Sequence, residues 1–166
     1  MTDNITIKTA DKSDCKLIET LAKEIWTQHY LSIIGLEQIE YMLEKFQSES
    51  AISHDIEGGY TYLIAYFDGT PCGYSSIKQD NGVFLSKFYV MKAYRGKGIG
   101  KEMIRTINEY AAKHSAHRIW LTCNKHNSAS LGIYEKLGFK AIDSIVTDIG
   151  GGFVMDDYVL EKDLKA

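Results

Sequence analysis

The sequence holds one proline and three cysteines, and it has no apolar run near the length that crosses a bilayer. No Pro/Gly/Ser-rich linker, repeat or low-complexity tract divides it, so a single domain over residues 1–166 is expected. Cys15, Cys72 and Cys123 are odd in number, widely spaced and form no CxxC pair. That suggests neither a disulfide framework nor a zinc site, and no metal is expected. Buried free thiols in a reducing compartment are the expectation. The start, Met1 to Lys8, is polar and β-branched and lacks the charged-then-apolar layout of a secretory signal. With no membrane segment either, a cytoplasmic protein is expected. Basic residues are not in excess: 19 Lys and Arg against 22 Asp and Glu leave a net charge of −3. That gives no broad footprint for nucleic acid and is compatible with a cationic substrate.

What is present reads as a soluble globular chain, with 45% apolar and 25% charged residues. Asn4 to Thr9 alternates as a strand. Asp11 can cap a helix whose Leu17, Ile18, Leu21, Ala22 and Ile25 repeat at helical spacing. After Gly35, Leu36, Ile39, Leu43 and Phe46 form a second helical stripe, and Ser48 to Gly59 fits a short helix or a loop. Three strand-like runs follow, Tyr60 to Phe67, Cys72 to Lys78 and Val83 to Val90. Asp68-Gly69, ahead of Pro71, and Asn81-Gly82 sit where hairpin turns belong. A glycine-rich turn then leads into a helix with Met103, Ile104, Ile107, Tyr110 and Ala111 on one face. Arg118 to Cys123 reads as a strand. Asn127 caps a helix carrying Ser130, Ile133, Tyr134 and Leu137, which Gly138 ends as a left-handed cap. Ala141 to Asp148 and Phe153 to Glu161 flank three glycines as a last hairpin. The order describes a mixed α/β domain with a strand meander at its centre.

The chemistry concentrates at Arg95-Gly96-Lys97-Gly98-Ile99-Gly100-Lys101, between a strand and a helix. Closely spaced glycines let backbone approach a bulky anion. The free N–H groups of the helix start and its dipole favour negative charge, and Arg95, Lys97 and Lys101 add positive charge. This is a physical design for phosphate or pyrophosphate. A P-loop is excluded, because Arg95 stands where its first glycine belongs and Glu102 where it needs Ser or Thr. The dinucleotide fingerprint fails as well, its third glycine falling on Lys101.

Arg95 to Gly100 resembles the Gln/Arg-x-x-Gly-x-Gly/Ala signature of the GCN5-related N-acetyltransferase (GNAT) superfamily. Asn127-Ser128-Ala129-Ser130 through Tyr134-Glu135-Lys136-Leu137-Gly138-Phe139 resembles that superfamily's second signature, Asn-x-x-Ala followed by Tyr-Glu-x-x-Gly-Phe. The resemblance runs from about Asn4 to Leu160. It implies an α/β single-domain fold with a mixed, mostly antiparallel sheet, a splayed central strand pair and flanking helices. It also implies acetyl-coenzyme A as co-substrate and a primary amine as acceptor. By that resemblance Phe88, Tyr89 and Val90 pair their backbone with the pantetheine arm. Arg95, Gly96, Lys97, Gly98, Ile99, Gly100 and Lys101 wrap the pyrophosphate, Asn127 bonds the pantetheine, and Tyr134 lies near the thioester sulfur. Asn124 is a lesser candidate for the cofactor wall. A homodimer is a superfamily expectation. The sequence departs from the pattern at Ser86, where some relatives carry a glutamate base, and at Ser130, where alanine is usual.

An alkyl ammonium, with a pKa of about 10.4, must lose a proton before it attacks a thioester. The Val90 backbone N–H could stabilise the charge that grows on the carbonyl oxygen. The Tyr134 hydroxyl could protonate the leaving sulfur. No covalent enzyme intermediate is needed, so Cys123 is expected to be a core thiol. Trp26, His29, Tyr30 and Asp148 are candidates to shape the acceptor pocket. Asp143, Asp148, Asp156 and Asp157 in the last hairpin favour a small cationic amine such as a polyamine. A protein or peptide N-acetyltransferase, needing an open groove, and a non-catalytic acyl-coenzyme A binding module are the alternatives.

Overall fold

The computed structural model describes residues 4–164; Met1 to Asp3 and the last two residues, part of the expected domain, lie outside them. The chain runs β1 (Ile5–Thr9), α1 (Cys15–Ile34), α2 (Leu36–Phe46), α3 (Glu49–Glu57), β2 (Thr61–Phe67), β3 (Thr70–Gln79) and β4 (Val83–Val90). It continues with α4 (Ile99–Lys113), β5 (Arg118–Asn124), α5 (Ser128–Lys136), β6 (Lys140–Gly150) and β7 (Phe153–Asp163). The seven strands form one sheet in the order β1-β2-β3-β4-β5-β7-β6. Only β4 and β5 are parallel; the other neighbours are antiparallel.

Side chains leave each strand alternately for its two faces, and β2 shows how that makes two cores. Tyr62 and Ile64 enter a cluster with Ile18, Ile25 and Trp26 of α1, Ile39 and Met42 of α2, and Ile52 of α3. Leu63 joins a cluster on the other face with Ile104 and Ile107 of α4 and Tyr134 of α5. The sheet is therefore the middle layer of three. Burying one large aliphatic side chain contributes roughly 1.5–3 kcal/mol, so these stripes hold the helices in place.

Local chemistry explains most of the boundaries. Asp11 accepts from the Ser13 N–H at 2.8 Å and Asp14 accepts from the Asp11 N–H at 2.9 Å, a reciprocal cap on the single turn ahead of α1. The ambiguous stretch from Ser48 is helix α3, with Ser48 Oγ accepting from the Ala51 N–H at 3.2 Å. Asp68 and Gly69, the two residues between β2 and β3, both have positive φ, as a two-residue hairpin turn requires, and Asn81 and Gly82, also at positive φ, close the three-residue turn from Asp80 to Gly82. Pro71 lies inside β3 rather than in the turn before it. It stands opposite Tyr66 at a break in register, where a missing N–H does little harm. On α2 the buried positions are Ile39 and Met42, whereas Leu36, at the helix start, is 54% exposed.

Two contacts set the strands that carry the site. Lys87 of β4 is buried; its Nζ donates to the Tyr62 hydroxyl at 2.7 Å and to the Phe46 carbonyl, and lies 3.6 Å from Asp55. The β6–β7 turn lies against Tyr41 of α2, whose hydroxyl donates to the Ile149 carbonyl at 2.8 Å. A Cβ at Gly151 would come within 2.8 Å of the Tyr41 ring, so this seat requires glycine. Among the described residues no helix is long and apolar enough to cross a membrane.

Candidate active site

The parallel neighbours β4 and β5 are paired only at Val83 with Ile119 and Phe84 with Trp120. The closed end is pinned by Trp120 Nε1 donating to the Asp80 carbonyl at 2.8 Å and by the Phe84 and Trp120 rings at 4.4 Å. Beyond it the two strands diverge. β4 stays paired with β3 along Phe88 to Val90, leaving its other edge open. The Met91 N–H reaches the Cys72 carbonyl on β3 at 2.8 Å. Successive N–H groups of a strand point to opposite sides, so the Val90 N–H and carbonyl face the gap. That carbonyl accepts from Arg95 Nε at 3.2 Å.

One cavity of about 200 Å³ opens between the end of β4 and the starts of α4 and α5. Gly96 and Gly98 line it with φ of +79° and +87°, and a Cβ at either would meet nothing within 4 Å. Gly98 precedes α4 with no side-chain cap, so the first-turn N–H groups are without an intrahelical acceptor. Open space, free N–H groups, the positive end of a helix and Arg95 make a cradle for a bulky anion.

A second, smaller cavity of about 90 Å³ lies between β4, β5 and β7 and the helices α1 and α2. Tyr30, Phe88, Tyr89, Ser130 and Tyr134 line both cavities and form the wall between them. Tyr134 is buried, its ring centroid 6.0 Å from that of Phe88 and 5.6 Å from that of Phe139. Burial pushes its hydroxyl pKa well up, so it stays protonated at neutral pH. Burial likewise pushes the Cys123 thiol up to about 12, which leaves it an inert thiol.

The N-cap of α5 ties this wall to α1. Asn127 Oδ1 accepts from the Ser130 N–H at 3.3 Å and from His29 Nε2 at 3.0 Å, and its Nδ2 donates to the Tyr30 hydroxyl at 3.4 Å. The Tyr30 and Trp26 rings lie 4.5 Å apart, and both line the smaller cavity.

Residues 18–139 match the acetyltransferase (GNAT) family, well over half of the chain. The chain belongs to that family. It is 34% identical over 104 residues to an uncharacterised N-acetyltransferase of Mycobacterium tuberculosis, a match covering 61% of this chain and 66% of that protein. It is 27% identical to a spermidine N(1)-acetyltransferase of Thermoplasma acidophilum over 92% of this chain and 96% of that one. A PaiA N-acetyltransferase from the same archaeon, solved with coenzyme A, superposes with a TM-score of 0.83 at 25% identity, covering 96% of this chain and 98% of that chain. A second GNAT structure, from Rhodopseudomonas palustris, has a TM-score of 0.83 at 20% identity, covering 98% and 97%, and speaks for the fold.

In this acetyltransferase most of the residues singled out from sequence meet at the split. Phe88, Tyr89, Val90, Arg95, Gly96, Gly98, Ile99, Gly100 and Tyr134 line the larger cavity. Lys97 and Lys101 are exposed outside its lining, with Lys97 Nζ 5.4 Å from the Phe67 ring centroid. Asn127 lines the smaller cavity, beside Asn124 and Ser86. The last hairpin divides its aspartates. Asp143 and Asp148 are exposed, so Asp148 does not shape the pocket, and Asp156 pairs with Lys125 at 2.9 Å. Asp157 alone of the four is buried and lines the cavity. Sequence reasoning missed Gln38 and Met42 of α2, Thr122 of β5 and Met155 of β7. Only the period-2 partnership of Met155 with Asp157 could have signalled one of them.

Proposed function

We propose that this acetyltransferase moves an acetyl group from acetyl-coenzyme A onto the primary amine of a small cation of the polyamine class. The observation that carries the reading is Tyr134, held as a neutral hydroxyl in the wall between an anion cradle and a smaller cavity. The cradle suits the co-substrate's diphosphate: Gly96, Gly98, Ile99 and Gly100 offer backbone, and Arg95 offers charge. Bound there, acetyl-coenzyme A supplies an acetyl group activated as a thioester.

The chain's own groups have three tasks. The Val90 N–H, facing the gap, donates to the carbonyl oxygen as it gains charge. The Tyr134 hydroxyl gives its proton to the departing sulfur. Phe88, Tyr89 and Tyr30 exclude water where the two cavities meet. The similarity to a protein named spermidine N(1)-acetyltransferase supports a polyamine acceptor. The limited volume of the acceptor cavity, about 90 Å³, favours a slender alkyl amine over a folded peptide.

A panel of amines with acetyl-coenzyme A, read by thiol release, tests the reading. Linear polyamines should exceed aminoglycosides and peptide N-termini in kcat/KM. Peptides outrunning every small amine, or no thiol release with any acceptor, would overturn it.

The reading extends to a homodimer joined along β6. That strand ends the sheet, and Ile142 and Val146 on it are 52% and 63% exposed. An antiparallel partner centred on Ser144 would set Lys140 against Asp148 and Ile142 against Val146. Sedimentation should show a dimer in the wild type and a monomer in Val146→Lys; a monomeric wild type refutes it.

A further inference from the structure

We propose that Asp157 is the acceptor-binding carboxylate of this site: its Oδ1 receives the ammonium group of a primary alkyl amine and takes the proton that must leave before nitrogen can attack. The inference rests on the amine-acetylation reading above and names the group that reading leaves unassigned.

Asp157 lies on β7 opposite Asn124 of β5, on the wall of the smaller cavity. It is 3% exposed, and its Oδ1 has no hydrogen-bond partner among the described residues. Buried carboxylate oxygens are ordinarily paired, so an unpartnered one on a residue that lines a cavity marks a place for a donor from outside the chain. The described residues that line the cavity include no lysine, arginine or histidine. Among those described residues Asp157 is the one carboxylate, with no basic side chain beside it in the lining.

The surroundings keep that charge usable. Burial, with the neighbouring Asp156 adding to it, raises the Asp157 pKa to about 6, against the Thr122 hydroxyl and Lys125, which lower it. The other titratable groups facing it are Cys123 of β5 and Tyr30 of α1, both neutral because burial raises their pKa values. Lys125 is committed to Asp156 at 2.9 Å. A carboxylate with a pKa close to neutral is an efficient base at neutral pH. Ser86, at the position where some relatives keep a glutamate, lines the same cavity, so Asp157 serves it from the opposite wall. Trp26, Tyr30, Met42 and Met155 provide an apolar lining suited to a methylene arm.

The protons balance. One ammonium N–H bond breaks, its electron pair stays on nitrogen, and an O–H bond forms on Asp157 Oδ1, from which the proton passes to solvent. The new C–N bond forms as the C–S bond breaks. The second proton leaving nitrogen replaces the one Tyr134 gives to sulfur.

Asp157→Asn keeps the shape and removes the base. Near neutral pH the variant should lose about 10²–10⁴-fold in kcat/KM with a linear diamine. With hydroxylamine, which is uncharged there, the loss should stay under about tenfold. The Kd for acetyl-coenzyme A and the Tm should hold. Equal losses with both acceptors, or none with the diamine, overturn the assignment while leaving amine acetylation standing. A wild type inactive with every amine defeats both. Should the variant not fold, the wild type decides: adding the diamine should shift the isotope-labelled Asp157 carboxyl resonance, and an unmoved resonance overturns the proposal.

Discussion

His29 Nε2 donates to Asn127 Oδ1 at 3.0 Å, a bond between residues 98 positions apart. It fastens the C-terminal half of α1 to the N-cap of α5 beside the larger cavity, which His29 lines. Because Asn127 Oδ1 also accepts from the Ser130 N–H, the amide oxygen is a shared acceptor and His29 must carry its proton on Nε2. Burial lowers the His29 pKa, the bond to Asn127 works against that, and Arg95 adds to the lowering.

His29→Ala removes this tie. One hydrogen bond contributes about 0.5–1.5 kcal/mol net, and lost packing adds to it. We expect a destabilisation of about 1–2 kcal/mol in urea unfolding, together with weaker acetyl-coenzyme A binding by calorimetry. Unchanged stability and affinity would show that α1 and α5 are held by other contacts.

Gly98→Asp places a carboxylate in the anion cradle. Its Cβ meets nothing within 4 Å, so the fold should survive, with strain from a φ of +87°. We expect the Kd for acetyl-coenzyme A to rise about tenfold or more, equivalent to about 1.4 kcal/mol. Calorimetry on the folded variant checks it, and unaltered affinity would remove the diphosphate from this turn.

Tyr134→Phe keeps the ring against Phe88 and Phe139 and deletes the hydroxyl. A positioned acid contributes about 10²–10⁴-fold, so kcat should fall by that order with Kd and Tm nearly unchanged. A thioester with a more acidic leaving thiol should suffer less. A stable, fully active variant would falsify the acid role.

Lys87 makes stability depend on pH. Burial lowers its pKa from 10.5 to about 8, with Asp55 working against the shift. Between those values the unfolded chain holds a proton that the native chain has released, so raising the pH favours the native state. Below about 8 both states are protonated and the burial penalty is full. The thiols Cys15, Cys72 and Cys123 and the tyrosines Tyr62 and Tyr74, whose pKa values burial raises, oppose the gain as the unfolded groups ionise, near about 8.5 for thiols and about 10 for tyrosines. Denaturant titrations should therefore show the stability of the wild type rising relative to that of Lys87→Met from about pH 8 to about 9.5. A difference between the two that stays constant with pH refutes it.

The sequence by itself determined what is written in short-range order. Asp11, Ser48 and Asn127 cap their helices, the Asp-Gly and Asn-Gly pairs turn their hairpins, and Gly138 ends α5 with a φ of +99°. Each depends on neighbours one to four residues away, which is why composition and spacing could read them. The glycine turn was legible for the same reason, since strand, glycines and helix start are consecutive. Tertiary structure alone decided which residues share a cavity. Asp143, Asp148, Asp156 and Asp157 look alike in the chain, and only the pairing of β7 with β5 turns Asp157 to the split while β6 leaves Asp143 and Asp148 exposed. Gln38 and Met42 enter the site because Tyr41 seats α2 on the β6–β7 turn, a contact across 108 positions. Local spacing carries no information about a packing partner that far away.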